Sequence, residues 1–340
     1  MPLDRIFRSL IAWQSADGPP VPARALTAEQ VRERYLANSV RPDGQGGSPL
    51  DSVSAEDHTV QGADGAVVPC RVYSPAGTDR GRVMTFLHGG GWVAGDLDSH
   101  DRACRLVAES LGSVVVSVGY RRAPEFPYPA ALVDAFAAAR WTSRSFPGRA
   151  HVIGGDSAGA SLALGVAMEA REAGGPEFAA QLLLYPPADP SLLFAASSEY
   201  AEGYLLSVDD MAWFYDLYVP DERRRRDPAV DLLHADLRNL PPAVVGTAEF
   251  DPLRDEGVEL ADKLAVCEVD VRHVPGPGLV HGYFLMHELV PAAAKRAQRV
   301  LQELDAVLGP VCEAEPEAAA EQPAGKSGAE AAAAARGTSC

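Results

Sequence analysis

At 340 residues, with 47% apolar side chains, the chain can form one large domain with an ample core. A formal net charge of −17 argues against partners bound through their negative charge, so neither nucleic acid nor an anionic membrane surface is expected. The five cysteines (Cys70, Cys104, Cys267, Cys312 and Cys340) are odd in number and lack metal-type spacing, so no disulfide framework or metal site is expected. No apolar run reaches transmembrane length and residues 1–7 hold no long apolar leader core, so a cytoplasmic location is the expectation.

In chain order, Thr27 and Gln30 form a capping-box pattern that opens a helix to about residue 37. Strands are predicted over 67–73 and 83–87. The second runs into His88-Gly89-Gly90-Gly91-Trp92. Consecutive glycines let backbone N–H groups turn toward one point, as acyl transfer requires for its oxyanion, so Gly90 and Gly91 are candidate donors. The plainer reading is a flexible glycine hinge. Helix 101–111, strand 114–118 and helix 129–145 follow. Strand 151–153 leads into Gly155-Asp156-Ser157-Ala158-Gly159 and helix 158–172. A G-x-S-x-G between strand and helix is a nucleophile elbow, with Ser157 as nucleophile and the N–H of Ala158 as a further oxyanion donor. The plainer reading makes Ser157 only a helix cap.

After strand 182–185, Ser207 opens a helix carrying Met211, Trp213, Phe214, Leu217 and Tyr218. The run Arg223 to Arg226 is bracketed by Asp221, Glu222 and Asp227 and reads as a solvated loop. Strand 244–247 precedes Asp251, the candidate acid. Asp255 is its rival but fits better as the start of helix 256–266. Strand 269–274 precedes His281, the candidate base, in a glycine-flanked loop, and helix 291–308 closes the ordered pattern. From about Pro310 the chain is rich in Ala, Glu, Gly and Pro and is expected to be a disordered tail. Alternating strands and helices imply an α/β fold with a doubly wound, mostly parallel sheet and catalytic groups at the carboxyl ends of the strands.

Five pieces appear in a telling order: His88-Gly89-Gly90-Gly91-Trp92, Tyr120-Arg121-Arg122-Ala123-Pro124-Glu125, Gly155-Asp156-Ser157-Ala158-Gly159, Asp251-Pro252-Leu253-Arg254-Asp255-Glu256 and His281-Gly282-Tyr283. With them the chain resembles the hormone-sensitive-lipase-like branch of the α/β-hydrolases, the bacterial family IV carboxylesterases and lipases, over about residues 55–308. It departs from that pattern at Arg122 (usually Leu), Ala160 (usually Gly) and Tyr283 (usually Phe). The resemblance implies an α/β-hydrolase fold with a helical cap. Residues 1–50 would form an N-terminal cap segment, 51–189 and 236–309 the core, 190–235 a cap insertion and 310–340 the tail. It implies a Ser157–His281–Asp251 triad and a pocket lined by Trp92, Leu206, Trp213 and Tyr283. The implied activity is hydrolysis of a small, short-chain acyl ester through an acyl-enzyme, without metal or organic cofactor, in a chain that can pair as a homodimer. Acyl transfer to another acceptor, deacetylation or lactone opening of a specialised metabolite use the same chemistry. A non-catalytic small-molecule receptor on this fold would lack the catalytic histidine, which is present here.

Overall fold

The computed structural model describes residues 1–310 except 17, 19, 40–47 and 63. The expected disordered tail and Cys312 and Cys340 lie outside the described residues. The core is an eight-stranded sheet in the order β1-β2-β4-β3-β5-β6-β7-β8. Its strands are β1 Ser54–Gln61, β2 Val67–Ser74, β3 Arg82–Leu87, β4 Ser113–Val118, β5 Ala150–Asp156, β6 Ala180–Leu184, β7 Ala243–Phe250 and β8 Val271–Val280. β1 pairs antiparallel with β2 and β2 with β4, while β4, β3, β5, β6, β7 and β8 are parallel.

The parallel strands read as unbroken apolar runs because both faces are covered. Val83 and Leu87 face one apolar cluster and Met84 and Phe86 the other. Val114, Val116 and Val118 alternate in the same way with Val115. Helices α4 Ala130–Ser145, α5 Ala158–Ala173 and α8 Arg254–Val266 pack on the first face, and α3 Asp101–Leu111 and α9 Pro291–Leu308 on the second. Each predicted helix of the core is present within a few residues of its expected ends.

Four strands differ from expectation by three residues or more. β1 carries only one buried side chain, Val60, so it shows no alternation and no strand is expected there. β5 and β7 each run three residues past their expected ends. β8 extends to Val280 through Pro275 and Pro277, which a sheet edge tolerates because the outer N–H positions need no partner.

Two segments lie outside the βα rhythm. Helix α2, Ala28–Ser39, opens with the expected reciprocal bonds, Gln30 N–H to Thr27 Oγ1 and Thr27 N–H to Gln30 Oε1. Past the short helix α6, Leu193–Ser197, helix α7, Val208–Tyr218, opens with a capping box between Ser207 and Asp210. Asp210 also accepts from the N–H of Ala23, which ties α7 to the segment leading into α2. A further helix without a sequence signal, α1 Arg5–Gln14, buries Phe7 in the second cluster. The arginine run forms a short 3-10 helix, Glu222–Arg226, rather than an open loop. Arg223 is paired with Asp221, and Arg225 with Asp216. No described helix is long and apolar enough to cross a membrane.

Candidate active site

Strand register sets the site. Leu87 ends β3 opposite Gly155 of β5 and Val118 of β4, and Asp156 ends β5 opposite Leu184 of β6. The chain goes from β3 to one side for β4 and returns to the other side for β5. The glycine loop and the elbow therefore leave the sheet together at its switch point, where open α/β sheets bind ligands.

Ser157 stands between β5 and α5 at φ +52°, ψ −125°, a sparsely populated geometry for a residue with a side chain. Its N–H is held by the carbonyl of Leu184 at 2.8 Å. A methyl group on Gly159 would come within 2.6 Å of the His88 carbonyl oxygen, and one on Gly155 within 2.6 Å of the Gly159 backbone. The elbow thus needs both glycines for close packing. The hydroxyl makes no capping bond to α5. It is instead 2.9 Å from His281 Nε2.

His281 follows β8 directly. Its Nδ1 lies 2.8 Å from Asp251 Oδ2, and its ring meets the edge of Tyr185 at 4.8 Å between centroids. Asp251 follows β7 and is fully buried; its second oxygen accepts the N–H of Leu253 at 2.9 Å. Asp255, the rival acid, is paired with Arg254 in the first turn of α8. The three sequence-predicted residues are therefore joined in one hydrogen-bonded relay, with the carboxylate buried and the serine 8% exposed.

The glycine loop is built for close approach. Gly90 and Gly91 have φ +113° and +61°, and the carbonyl of Gly90 accepts from Val93 and Ala94. The N–H groups of Gly90, Gly91 and Ala158 are bonded to no carbonyl or side chain among the described residues, so they are free to serve an oxyanion. The Tyr120-to-Glu125 piece braces this loop. Tyr120 donates its hydroxyl to the His88 carbonyl at 2.7 Å, and Arg122 donates to the Gly95 carbonyl at 2.6 Å. From α2, Arg32 binds the carbonyls of Val93 and Ala123 and the Glu125 carboxylate. His88 is held neutral at pH 7 and is a weak base. Burial first, and the neighbouring His100 second, push its imidazole down to about 3.

Of the expected pocket residues, Trp92 is 3% exposed and stacks on Tyr218 of α7 at 4.5 Å. Leu206 and Trp213 are half-buried against the same apolar cluster, and Trp213 meets the edge of Phe214 at 5.3 Å. Tyr283 is a correction. Gly282, at φ +76°, turns the chain into a short 3-10 helix, and Tyr283 is buried in the second cluster. Its hydroxyl points at Gly246 of β7, and its ring meets Tyr185, the neighbour of His281, at 5.4 Å. It is a core side chain, so the change from Phe reshapes the core rather than a substrate pocket. Two residues at the site escape sequence reasoning. Phe214 lies directly over Gly91. Tyr185, at φ +38°, borders His281.

A family model described as an alpha/beta hydrolase fold matches residues 84–285. Carboxylesterase NlhH of Mycobacterium tuberculosis is 39% identical over 271 residues, covering 76% of this chain and 84% of that one. An ethyl acetate hydrolase of Pseudomonas putida is 34% identical over 310 residues, covering 88% and 96%. Among solved structures, a thermostable esterase from Pseudomonas putida ECU1011 superposes with a TM-score of 0.83 at 33% identity, covering 91% and 98% of the two chains. A hyperthermophilic esterase of the archaeon Pyrobaculum calidifontis gives 0.79 at 32%, covering 90% and 99%. With the elbow, the glycine loop and the acid–base order all in their places, the chain belongs to the α/β-hydrolase family, in its hormone-sensitive-lipase-like branch.

Proposed function

We propose that the protein is a serine carboxylesterase acting on small, short-chain acyl esters through Ser157, His281 and Asp251. The observation that carries this reading is the relay of 2.9 and 2.8 Å from Ser157 Oγ through His281 to Asp251. A serine hydroxyl is a weak nucleophile until a base takes its proton. His281 Nε2 accepts that proton as Oγ attacks the ester carbonyl, and returns it to the departing alkoxide. Asp251, buried on Nδ1, selects the tautomer that leaves Nε2 free to accept and stabilises the imidazolium that follows. The tetrahedral oxyanion falls to the N–H groups of Gly90, Gly91 and Ala158; losing one such donor costs about 10²–10³ in turnover in serine hydrolases. Water then repeats the sequence on the acyl-enzyme, and no step needs a group beyond the chain and its substrate.

The Ser157→Ala variant, assayed beside the parent with p-nitrophenyl butyrate, tests the reading. Turnover should vanish in the variant, and equal turnover in both would remove Ser157 from the chemistry. Short acyl chains are supported by the relative that hydrolyses ethyl acetate and by the aromatic packing of Trp92, Tyr215 and Tyr218 over the glycine loop. Over a p-nitrophenyl ester series from acetate to dodecanoate, kcat/KM should peak at the short end; a maximum at decanoate or beyond would contradict it. The free cysteines Cys70, Cys104 and Cys267 support a cytoplasmic location.

A further inference from the structure

Behind the oxyanion loop lies a buried polar cluster that the triad does not use. Asp156, the residue before Ser157, and His100, the residue before α3, are 1% and 0% exposed. His100 Nε2 lies 3.0 Å from Asp156 Oδ1. The N–H of Gly89, the residue before Gly90, points at both of them, at 2.9 Å from Asp156 Oδ1 and 3.1 Å from His100 Nε2. Asp156 Oδ2 stands 3.5 Å from the Tyr185 hydroxyl, on the side where Tyr185 meets His281. A methyl group on Gly89 would stand 2.6 Å from Asp156 Oδ2, so loop and carboxylate fit without slack. His100 is itself fixed. Its Nδ1 is 3.0 Å from Ser99 Oγ, Ser99 closes a turn with Asp96, and the rings of Tyr35, Phe86 and His88 surround it.

We propose that Asp156 and His100 form a positioning pair that locks the oxyanion loop onto the nucleophile elbow. The pair joins the one segment that supplies Ser157 and Ala158 to the other that supplies Gly90 and Gly91, so the three donor N–H groups are held at fixed distances before substrate arrives. Preorganised donors are what makes oxyanion stabilisation large, and a misplacement of about 1 Å costs on the order of 10²-fold. Stability alone gives little reason for the pair, since a buried ionic or polar pair is often no better for folding than an apolar one of equal volume. The carboxylate is nevertheless kept in its ionised form. Burial raises its titration, but the charge and hydrogen bond of His100 and the N–H of Gly89 outweigh this and leave it below its ordinary value.

The proposal rests on Ser157 being the nucleophile, and its test keeps the two apart. Active sites are first titrated with a fluorophosphonate, so that turnover counts only folded, competent enzyme. His100→Leu removes the partner of Asp156, His100→Gln keeps an N–H donor, and Asp156→Asn keeps an acceptor for Gly89. Per titrated site, His100→Leu should lose at least ten-fold in kcat with KM within two-fold. Its Ki for a short-chain trifluoromethyl ketone, whose hemiketal oxyanion occupies the same donors, should rise by the same factor. His100→Gln should recover most of both losses. Asp156→Asn, the closest in shape, should lose kcat and inhibitor affinity in the same proportion even if His100→Leu does not fold. Unchanged turnover and Ki per titrated site with only a lower melting temperature would overturn the proposal, as would a fall in kcat with unchanged Ki. Failure of the parent enzyme to take up the fluorophosphonate would overturn the Ser157 reading, and this proposal with it.

Discussion

Gly91→Ala is expected to remove most of the enzyme's turnover through a contact with helix α7. In the structure an added Cβ on Gly91 would stand no more than 2.6 Å from three carbons of the Phe214 ring. Ordinary carbon–carbon contact is about 3.5–4.0 Å, so ring or backbone must yield by about 1 Å. Phe214 is 9% exposed and held on α7 beside Trp213, so the ring cannot take up the whole movement and the glycine loop must shift as well. Alanine at φ +61° adds a backbone cost of about 1–2 kcal/mol that favours the same movement. Moving the Gly91 N–H by this much forfeits one oxyanion donor, worth about 10²–10³ in turnover. Gly91→Ala should therefore lose about 10²-fold in kcat on p-nitrophenyl butyrate with a much smaller change in KM. Adding Phe214→Ala makes room and should return about ten-fold of that loss, a coupling that a double-mutant cycle reads directly. A Gly91→Ala enzyme within two-fold of the parent, or a double variant no faster than the single, would refute this reasoning.

Other outcomes follow from the same geometry. Asp251→Asn leaves the shape of the acid intact but favours the wrong His281 tautomer. By analogy with other serine triads kcat should fall about 10⁴-fold with folding retained, and a loss under ten-fold would mean that Asp251 does not orient the base. Glu256 is fully buried, and burial first, then the charges of Asp189 and Asp251, raise its carboxyl well above the ordinary value despite the bond from the Ala188 N–H. The folded protein thus holds a proton that the unfolded chain releases near pH 4.5, so this group's contribution to stability falls as pH rises from there toward the raised folded value. Glu256→Gln keeps an acceptor for Ala188 and removes the proton. Its melting temperature should fall less than the parent's between about pH 5 and pH 8, and parallel curves would contradict the assignment.

The parts of the site that are local in sequence are legible from the residues alone. The elbow and the glycine loop each fit within five residues; the elbow glycines are there because the backbone of the adjoining strand leaves no room for side chains, and the loop glycines because the Asp156 carboxylate, the loop's own backbone and the Phe214 ring crowd them. Helices with strong periodicity, such as α3 and α9, fall at their expected ends. What is illegible is non-local or lacks pattern. β1 exposes all but one of its side chains, so nothing in Ser54–Gln61 alternates. Helix α1 is betrayed only by Phe7, which is buried in a cluster drawn from residues 53 to 304. Tyr283, two residues from the base, reads as a pocket residue. A single left-handed glycine between them sends one side chain to the site and the other to the core. Phe214 over Gly91 and His100 beside Asp156 are contacts between distant segments, for which the sequence holds residue types but no spacing rule.

The central claim is that Ser157 is a nucleophile activated by His281. Peptide mass spectrometry after brief exposure to a fluorophosphonate tests it most directly. One adduct is expected, on Ser157, and its formation should slow sharply in His281→Gln. An adduct on another serine, or labelling of Ser157 at an undiminished rate without His281, would contradict the account.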